Sequence, residues 1–408
     1  MLISTAVMVM FIILTAVFNY IIDPYGIYRT FVFEGINRDK PRASTQVRMV
    51  KAYGVRKIAP KSIAIGNSRV DIGIDPLHPA WPEDGHPVYN LGIPGSTIYA
   101  SRAYLRHCMA VRNLSCVVMG LDFMDFPIAP EPEKKTGTKE FEQWLLTNSE
   151  DPQTSLPWGK ELKRCAITLF SLTALADSLR TVTGQDAENI TDCGFNPLRE
   201  YHHFVRKEGH YAIFLQRDKE NMKRYKEKPK NLFISGTRTS PQFDNLREMI
   251  RECRAEKINL YLYIHPYHVR LNETIRRTGF WPLFEQWKRE LVRIVTEESD
   301  ADRAVPLWDF SGYNRITGET VPRPGDTETK MKWYWEAGHY KKETGDMILE
   351  TIFAHPGKNH PAGSHFGVRI TSENIESHMQ GMKKKQTDFL QHQTETVSDI
   401  LKIYQDVY

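Results

Sequence analysis

Cysteine is scarce in this chain, with five residues among 408, and no two of them form a C-x-x-C pair. This absence argues against a zinc ribbon and against a thioredoxin-like redox site. The odd count leaves at least one thiol free in a monomer. In an oxidising compartment, Cys165 and Cys193 are the candidates for a disulfide.

A marked excess of charge of either sign is also missing. The 54 Lys and Arg residues stand against 50 Asp and Glu residues, which gives a formal net charge of +4, without a basic stripe or an aromatic platform. A nucleic-acid partner is therefore not expected. The hydrophobic content of 41% is enough for a full core, so we expect one large domain with additions.

The first 22 residues, MLISTAVMVMFIILTAVFNYII, contain no charged side chain. An apolar run of about 20 residues is long enough to cross a bilayer as one helix. Neither a basic start nor a small-residue cleavage site precedes Asp23, so the segment differs from a secretory signal peptide. We interpret residues 1–22 as a retained single-pass membrane anchor; the alternative is a buried N-terminal core helix.

The orientation of this anchor is ambiguous. Basic residues follow the anchor and none precedes it; they are Arg29, Arg38, Lys40, Arg42, Arg48 and Lys51. The positive-inside rule would place the main domain in the cytoplasm, but large domains are also translocated with little regard to charge. The topology therefore has to be argued from function.

Short apolar runs alternate with helical patterns after a polar connector at residues 23–60. The candidate strands are Ser62–Gly66, Val88–Leu91, Cys116–Leu121, Ile258–Ile264 and Ala304–Trp308. Between them, apolar residues recur every three or four positions, as in STIYASRAYLRHCMAV. The alternation predicts an α/β domain over residues 61–355 with a mainly parallel sheet, which binds ligands at the carboxyl ends of its strands.

Two further segments flank or interrupt this alternation. Residues 128–245 combine a Pro- and charge-rich loop with helical and polar stretches, and we interpret them as a helical insertion over the carboxyl edge of the sheet. Residues 356–408 are polar and end in a helical pattern, which predicts a helical tail.

Ser68 follows the first candidate strand within the motif GNSR, where a nucleophile or a simple turn residue would both fit. A nucleophilic serine needs a base, a group that orients the base, and donors for the oxyanion. His339 is the candidate base, and Glu336, three residues earlier, is placed to fix its tautomer. The amides of Ser68 and Gly95 are candidate oxyanion donors.

A third oxyanion contact would have to come from Asn67 or Asp122. An ionised aspartate would repel an oxyanion, so Asp122 is the weak point of this arrangement.

Four motifs together resemble the sequence blocks of SGNH (GDSL-like) hydrolases: GNSR, NLGIPGST, GLDF and EAGHY, in that order. The resemblance covers roughly residues 61–355 without the insertion. It implies a flavodoxin-like three-layer sandwich in which Ser68 is the nucleophile, Gly95 an oxyanion donor, and Glu336 and His339 the acid and base. The block-three asparagine falls on Asp122, and GNSR departs from the usual Gly-Asp-Ser.

The anchor, GNSR and the terminal HY most resemble membrane-anchored bacterial proteins of cell-surface polysaccharide O-acetylation. That resemblance implies a single-pass protein of the bacterial inner membrane, with its main domain in the periplasm. It also implies a carbohydrate or acyl-ester substrate, with a membrane-bound acyltransferase as a possible partner.

Other polar residues near the motifs are weaker candidates. Arg69 and Asn67 flank the serine and are expected to contact substrate. His265 and His268 in IHPYH are expected either to contact substrate or to pack within their loop. Pro266 disfavours a helix there, and no carboxylate or cysteine lies at helical spacing, so we expect neither a metal nor another cofactor.

Three functions remain open. The leading hypothesis is a membrane-anchored, extracytoplasmic serine esterase or O-acyltransferase acting on acyl esters of a surface polysaccharide. Asp122 stands where the SGNH blocks have an asparagine, and this difference favours the second hypothesis, a catalytically inactive accessory protein that binds polysaccharide or an acyltransferase. The basic residues after the anchor would suit a cytoplasmic-facing lipase or thioesterase.

Overall fold

The fold is described from a computed structural model. It describes residues 2–28, 30–131, 140–147, 158–185, 190–300, 303–354 and 366–407. Parts of the predicted insertion and of the predicted tail, at residues 132–139, 148–157, 186–189 and 355–365, lie outside the described residues.

The helices of the described residues are α1 Leu2–Ile22, α2 Val47–Ile58, α3 Ser68–Gly73, α4 Ile98–Val111, α5 Trp158–Leu169, α6 Leu172–Thr183, α7 Arg199–Glu227, α8 Pro241–Ala255, α9 Val269–Arg277, α10 Trp281–Glu298, α11 Lys342–Ile352, α12 Ile375–His392 and α13 Thr394–Val407. The strands are β1 Ser62–Gly66, β2 Val88–Gly92, β3 Cys116–Leu121, β4 Asn259–Ile264, β5 Leu307–Asp309, β6 Tyr334–Glu336, β7 His339–Tyr340 and β8 Val368–Arg369.

The protein has an α/β fold with a mostly parallel six-stranded sheet, in the order β2-β1-β3-β4-β5-β8. Only the pairing of β5 with β8 is antiparallel in this sheet. The order changes direction at β1, because β2 lies on one side of it and β3 on the other. Such a reversal opens a crevice at the carboxyl ends of the strands, and this is where Ser68 follows β1.

The predicted strands match the structure closely. β1, β2 and β3 are buried along their whole length, as their continuous apolar runs predict for a parallel sheet. The last predicted strand, Ala304–Trp308, begins later, at Leu307. Pro306 has no amide to donate to the ladder, which explains the shorter strand.

The chain forms two compact units, which are described separately. Unit 1 comprises Met1–Ala59, Ala103–Asn113 and Thr136–Arg199. Its core includes Tyr25, Ile27, Met49 and Ala174, so the predicted connector and part of the predicted insertion pack together here. α1 is long and apolar enough to span a membrane.

Unit 2 comprises Pro60–Arg102, Leu114–Lys135 and Glu200–Tyr408, and it contains the sheet. α7, from the predicted insertion, and the C-terminal helices belong to it. Ile400 and Ile403 of α13 pack against Met222 of α7, so the polar tail contributes to the core of this unit. All five cysteines are free thiols, and the candidate pair Cys165 and Cys193 is not bonded.

α11 packs against α3 through a glycine contact. A Cβ atom on Gly345 would lie 1.6 Å from the carbonyl oxygen of Gly73, so the backbones must move apart to accept any side chain. We expect Gly345→Ala to lower the free energy of unfolding by about 3 kcal/mol, measured by chemical denaturation. Gly381→Ala is the control, since a Cβ there meets nothing within 4 Å in α12 and should stabilise the protein by about 0.5–1 kcal/mol. Equal effects of the two substitutions would contradict the close approach.

Candidate active site

Ser68 is the first residue of α3 and lies two residues beyond the end of β1. Asn67 caps this helix, with its Oδ1 accepting a hydrogen bond from the Arg69 amide at 3.0 Å. The cap turns the chain sharply at the end of the strand and leaves the Ser68 side chain half-buried among buried neighbours. The nucleophile candidate is therefore accessible on a rigid turn.

His339 and Glu336 face each other across the β6–β7 hairpin, where they are register partners. The Ser68 Oγ lies 2.7 Å from the His339 Nε2. On the opposite side of the ring, Nδ1 hydrogen-bonds to Glu336 Oε1. The second oxygen, Oε2, accepts the Gly338 amide at 2.7 Å. The three side chains thus form a continuous hydrogen-bonded chain from carboxylate to hydroxyl.

The Glu336 carboxylate is 1% exposed, whereas the His339 side chain is 25% exposed. Burial by itself raises the pKa of Glu336, but the His339 ring and the Gly338 amide outweigh it and lower the pKa to about 2. Glu336 is therefore ionised at neutral pH and can hold a proton on Nδ1 of His339. This tautomer leaves Nε2 free to accept the proton of Ser68.

The two predicted oxyanion donors, the amides of Ser68 and Gly95, follow the carboxyl ends of the neighbouring parallel strands β1 and β2. The Ser68 amide is the first in α3, a position that has no intrahelical acceptor. Gly95 occupies the third position of a turn closed by the hydrogen bond from the Ser96 amide to the Ile93 carbonyl, at 2.9 Å. The φ angle of Gly95 is +69°, a left-handed conformation that favours glycine at this position of the turn. The hydrogen bond that closes the turn does not use the Gly95 amide.

Asp122, the doubtful candidate among the oxyanion contacts, acts as a hydrogen-bond acceptor in this structure. Its Oδ2 accepts from Arg69 NH1 and from Asn67 Nδ2, while its Oδ1 accepts the Tyr267 hydroxyl at 2.8 Å and the Met124 amide. Burial raises its pKa, but the adjacent Arg69 guanidinium lowers it well below its ordinary value. Asp122 is an ionised acceptor, so it has no proton to offer.

Arg69 ties three parts of the site together. Its Nε donates to the Gly338 carbonyl at 2.6 Å, next to His339, and its NH1 pairs with Asp122. The guanidinium also lies 5.1 Å from the centre of the Tyr267 ring. Arg69 thus holds the histidine loop against the serine loop. Asn67, expected to bind substrate, has its side chain engaged by Arg69 and Asp122.

His265 and His268 do not reach the site surface, which corrects their predicted substrate contacts. His265 is fully buried, with Nδ1 beside the Tyr340 hydroxyl at 3.3 Å. His268 caps α9 through Nδ1 and bonds the Glu319 carbonyl through Nε2 at 2.8 Å. Burial lowers the pKa of both rings, that of His268 to about 3, so both are neutral packing residues.

No protein-family model and no curated protein matches the sequence. Among the described residues, no group of three or more His, Cys, Asp or Glu side chains is arranged to hold a metal ion.

α7 supplies site residues that sequence reasoning missed. A cavity of about 170 Å³ adjoins His339, and its lining residues are Arg69, Arg217, Glu220, Asn221, Arg224, Glu336, Gly338 and His339. Arg217, Glu220 and Arg224 recur at three and four positions and so share one face of α7. That periodicity was visible in the sequence, but nothing in the sequence indicated that this face of α7 meets the histidine loop.

Proposed function

We propose that this protein is a serine esterase or O-acyltransferase of the SGNH type. The observation that carries the proposal is the hydrogen-bonded chain Glu336–His339–Ser68 at the carboxyl edge of a parallel sheet. The order β2-β1-β3-β4-β5 is that of a flavodoxin-like doubly wound sheet, which supports an SGNH-like fold.

The geometry supports a two-step acyl transfer. His339 Nε2 takes the Ser68 proton as Oγ attacks the acyl carbonyl, and the amides of Ser68 and Gly95 stabilise the oxyanion. Collapse of this intermediate expels the alcohol, which receives the proton from His339, and leaves an ester on Ser68. Water or a sugar hydroxyl then attacks that ester after giving its proton to His339, and Ser68 is regenerated.

The cavity beside His339 is small and polar, and we propose that a short acyl group occupies it during the reaction. Its volume of about 170 Å³ lies below the range of roughly 300 Å³ and above that is usual for larger ligands. Its lining is charged, which disfavours a long hydrocarbon chain and with it a lipase or thioesterase. We propose an acetyl ester of a surface polysaccharide as the substrate, with the main domain outside the cytoplasmic membrane, because the motifs resemble those of proteins of cell-surface polysaccharide O-acetylation. A reporter-fusion topology assay tests that location.

The direct test is turnover of p-nitrophenyl acetate by the purified full chain, together with labelling by a serine-directed fluorophosphonate. We expect both, with the label on Ser68. Absence of turnover and of labelling in folded protein would overturn the proposal.

A second candidate is an accessory protein that binds polysaccharide or a membrane acyltransferase without catalysis. The engagement of Asp122 and Asn67 with Arg69 favours it, because neither side chain then supplies a third oxyanion donor. Carbohydrate binding that survives Ser68→Ala, beside an inactive wild type, would support this candidate over the first.

The buried Glu336 also predicts a dependence of stability on pH. Its pKa is about 2 in the folded protein against an ordinary value of 4.5, so its contribution is complete above pH 4.5 and is lost as the pH falls towards 2. We expect Glu336→Gln to flatten the decline in the free energy of unfolding between pH 4.5 and pH 2 by about 3 kcal/mol. Denaturant titrations at several pH values measure it. Glu343→Gln, at an exposed position of α11, is the control, and an unchanged acid decline in Glu336→Gln would contradict the assignment.

A further inference from the structure

The helices α5 and α6 of unit 1 reverse the usual amphipathic arrangement. Their buried side includes polar and charged residues: Arg164, Thr168, Asp177, Ser178 and Thr181. Their exposed side carries large apolar residues: Leu162, Ile167, Leu172 and Leu179, with Phe170 at the junction, each 47–67% exposed. A helix in water buries its apolar face, so this arrangement indicates a non-aqueous surrounding.

The inward polar groups are satisfied within the unit. Arg164 donates to the Leu145 carbonyl at 2.8 Å, and Asp177 accepts from the Tyr25 hydroxyl at 2.9 Å and from Arg42 at 3.1 Å. Because these bonds hold the polar faces inward, the apolar faces cannot turn in without breaking them. The exposure of the leucines and of Phe170 is thus built into the unit.

The break between the two helices lies beside the end of α1. Asn19 donates to the carbonyls of Leu169 and Ser171 at 2.9 and 3.3 Å, and Ser178 donates to Asn19 at 2.9 Å. Asn19 therefore satisfies backbone groups that the break would leave open, as a lipid environment requires. The 21 residues of α1 span about 31 Å, roughly the full apolar thickness of a bilayer, so Asn19 lies about 5 Å inside its edge.

The loop Phe31–Phe33, which is held at the C-terminal end of α1, carries a second group of exposed apolar side chains. Phe31, Val32 and Phe33 are 85%, 64% and 48% exposed. Asn37 holds this loop at the end of α1, because its side-chain amide donates to the carbonyls of Ile21 and Phe31 at 3.0 and 2.9 Å.

We propose that unit 1 binds the lipid bilayer at three places: α1 spans it, while the bent helix pair α5–α6 and the loop Phe31–Phe33 dip into the leaflet where α1 ends. Continuity with α1 identifies lipid as the occupant of these faces. The segments Glu161–Leu169 and Leu172–Thr183 are bent by 61° relative to each other, and each reaches less than about 20 Å, so neither helix is long enough to cross the bilayer by itself. Catalysis at Ser68 plays no part in this contact.

Photolabelling from within the bilayer tests the proposal. The full chain is placed in phospholipid nanodiscs that contain a lipid with a diazirine near the middle of its acyl chain, irradiated, and mapped by mass spectrometry. We expect adducts on α1, on residues 158–183 and on residues 30–37. Adducts confined to α1 would overturn the proposal. That result is also expected if another protein, and not lipid, covers these faces, so this case counts against the proposal too.

Charged substitutions provide the matched comparison. Phe170→Glu combined with Leu172→Glu places two carboxylates at the junction of α5 and α6. We expect the adducts on residues 158–183 to fall about tenfold, while the adducts on α1 remain. Leu77→Glu, at a similarly exposed leucine of unit 2 (74%), is the control and should change neither the adducts on residues 158–183 nor those on α1. If the double variant fails to fold, Leu179→Glu on α6 repeats the test. Unchanged adducts on residues 158–183 in a folded variant would contradict the insertion of α5 and α6 into the bilayer.

Discussion

Ser68→Ala is expected to lower turnover of p-nitrophenyl acetate by at least about 10⁴-fold, because the substitution removes the atom that forms the acyl-enzyme. The Ser68 Oγ is the group that lies 2.7 Å from His339, and no other hydroxyl contacts that ring among the described residues. The same variant should lose all fluorophosphonate labelling. Steady-state kinetics and intact-mass spectrometry measure the two effects.

Ser62→Ala is the matched control for this experiment. Ser62 lies at the opposite end of β1, where its hydroxyl faces that of Ser115 at 3.4 Å. We expect it to leave turnover within about twofold of wild type, since it removes only a weak neutral hydrogen bond. Thermal unfolding of both variants near the wild-type temperature separates lost chemistry from lost folding. Undiminished turnover in Ser68→Ala would place the chemistry elsewhere.

Arg69→Ala is expected to lower the free energy of unfolding by about 3–5 kcal/mol, because it leaves the ionised Asp122 buried without its partner. The side chains of both residues are 8% exposed or less, so water cannot replace the guanidinium. The loss of the bond to the Gly338 carbonyl should also loosen His339 and reduce kcat. Chemical denaturation and steady-state kinetics measure the two effects.

The partner substitutions decide whether the buried charge is the cause. Arg69→Met combined with Asp122→Asn removes both charges, and we expect it to recover much of the stability lost in Arg69→Ala. Arg289→Ala breaks an exposed ion pair with Glu376 and should cost less than about 1 kcal/mol. A double variant as unstable as Arg69→Ala would show that packing, not the unpaired carboxylate, dominates.

Much of the candidate site could be predicted because its motifs are local. Glu336 and His339 lie three residues apart in one hairpin, and Ser68 lies two residues beyond a strand. Parallel strands bring their carboxyl ends to one edge, so a serine after the first strand is expected where ligands bind. The contact of Ser68 with His339 joins residues 271 positions apart. The sequence motivated that contact through the Glu336 and His339 spacing and through the resemblance of its motifs, since no local pattern links two segments so far apart.

Side-chain direction was not predictable in the same way. His265 and His268 lie in a polar motif after a strand, yet both rings face the interior, because Tyr340 and the carbonyl of Glu319 partner them there. The role of Asp122 likewise depends on Arg69, which is 53 residues away in the chain. No local pattern records which carboxylate a guanidinium will meet.

The sequence by itself determined the alternation of strands and helices and the apolar N-terminal helix, and it named Ser68, Glu336 and His339 as candidates, because periodicity and motifs are properties of neighbouring residues. Only the tertiary structure decided which face of each helix points inward. In α5 and α6 the polar face does so, and in α7 a face with Arg217 and Arg224 meets the histidine loop. Periodicity shows that a helix has two faces, but the partners that each face finds are set by contacts between segments far apart in the chain.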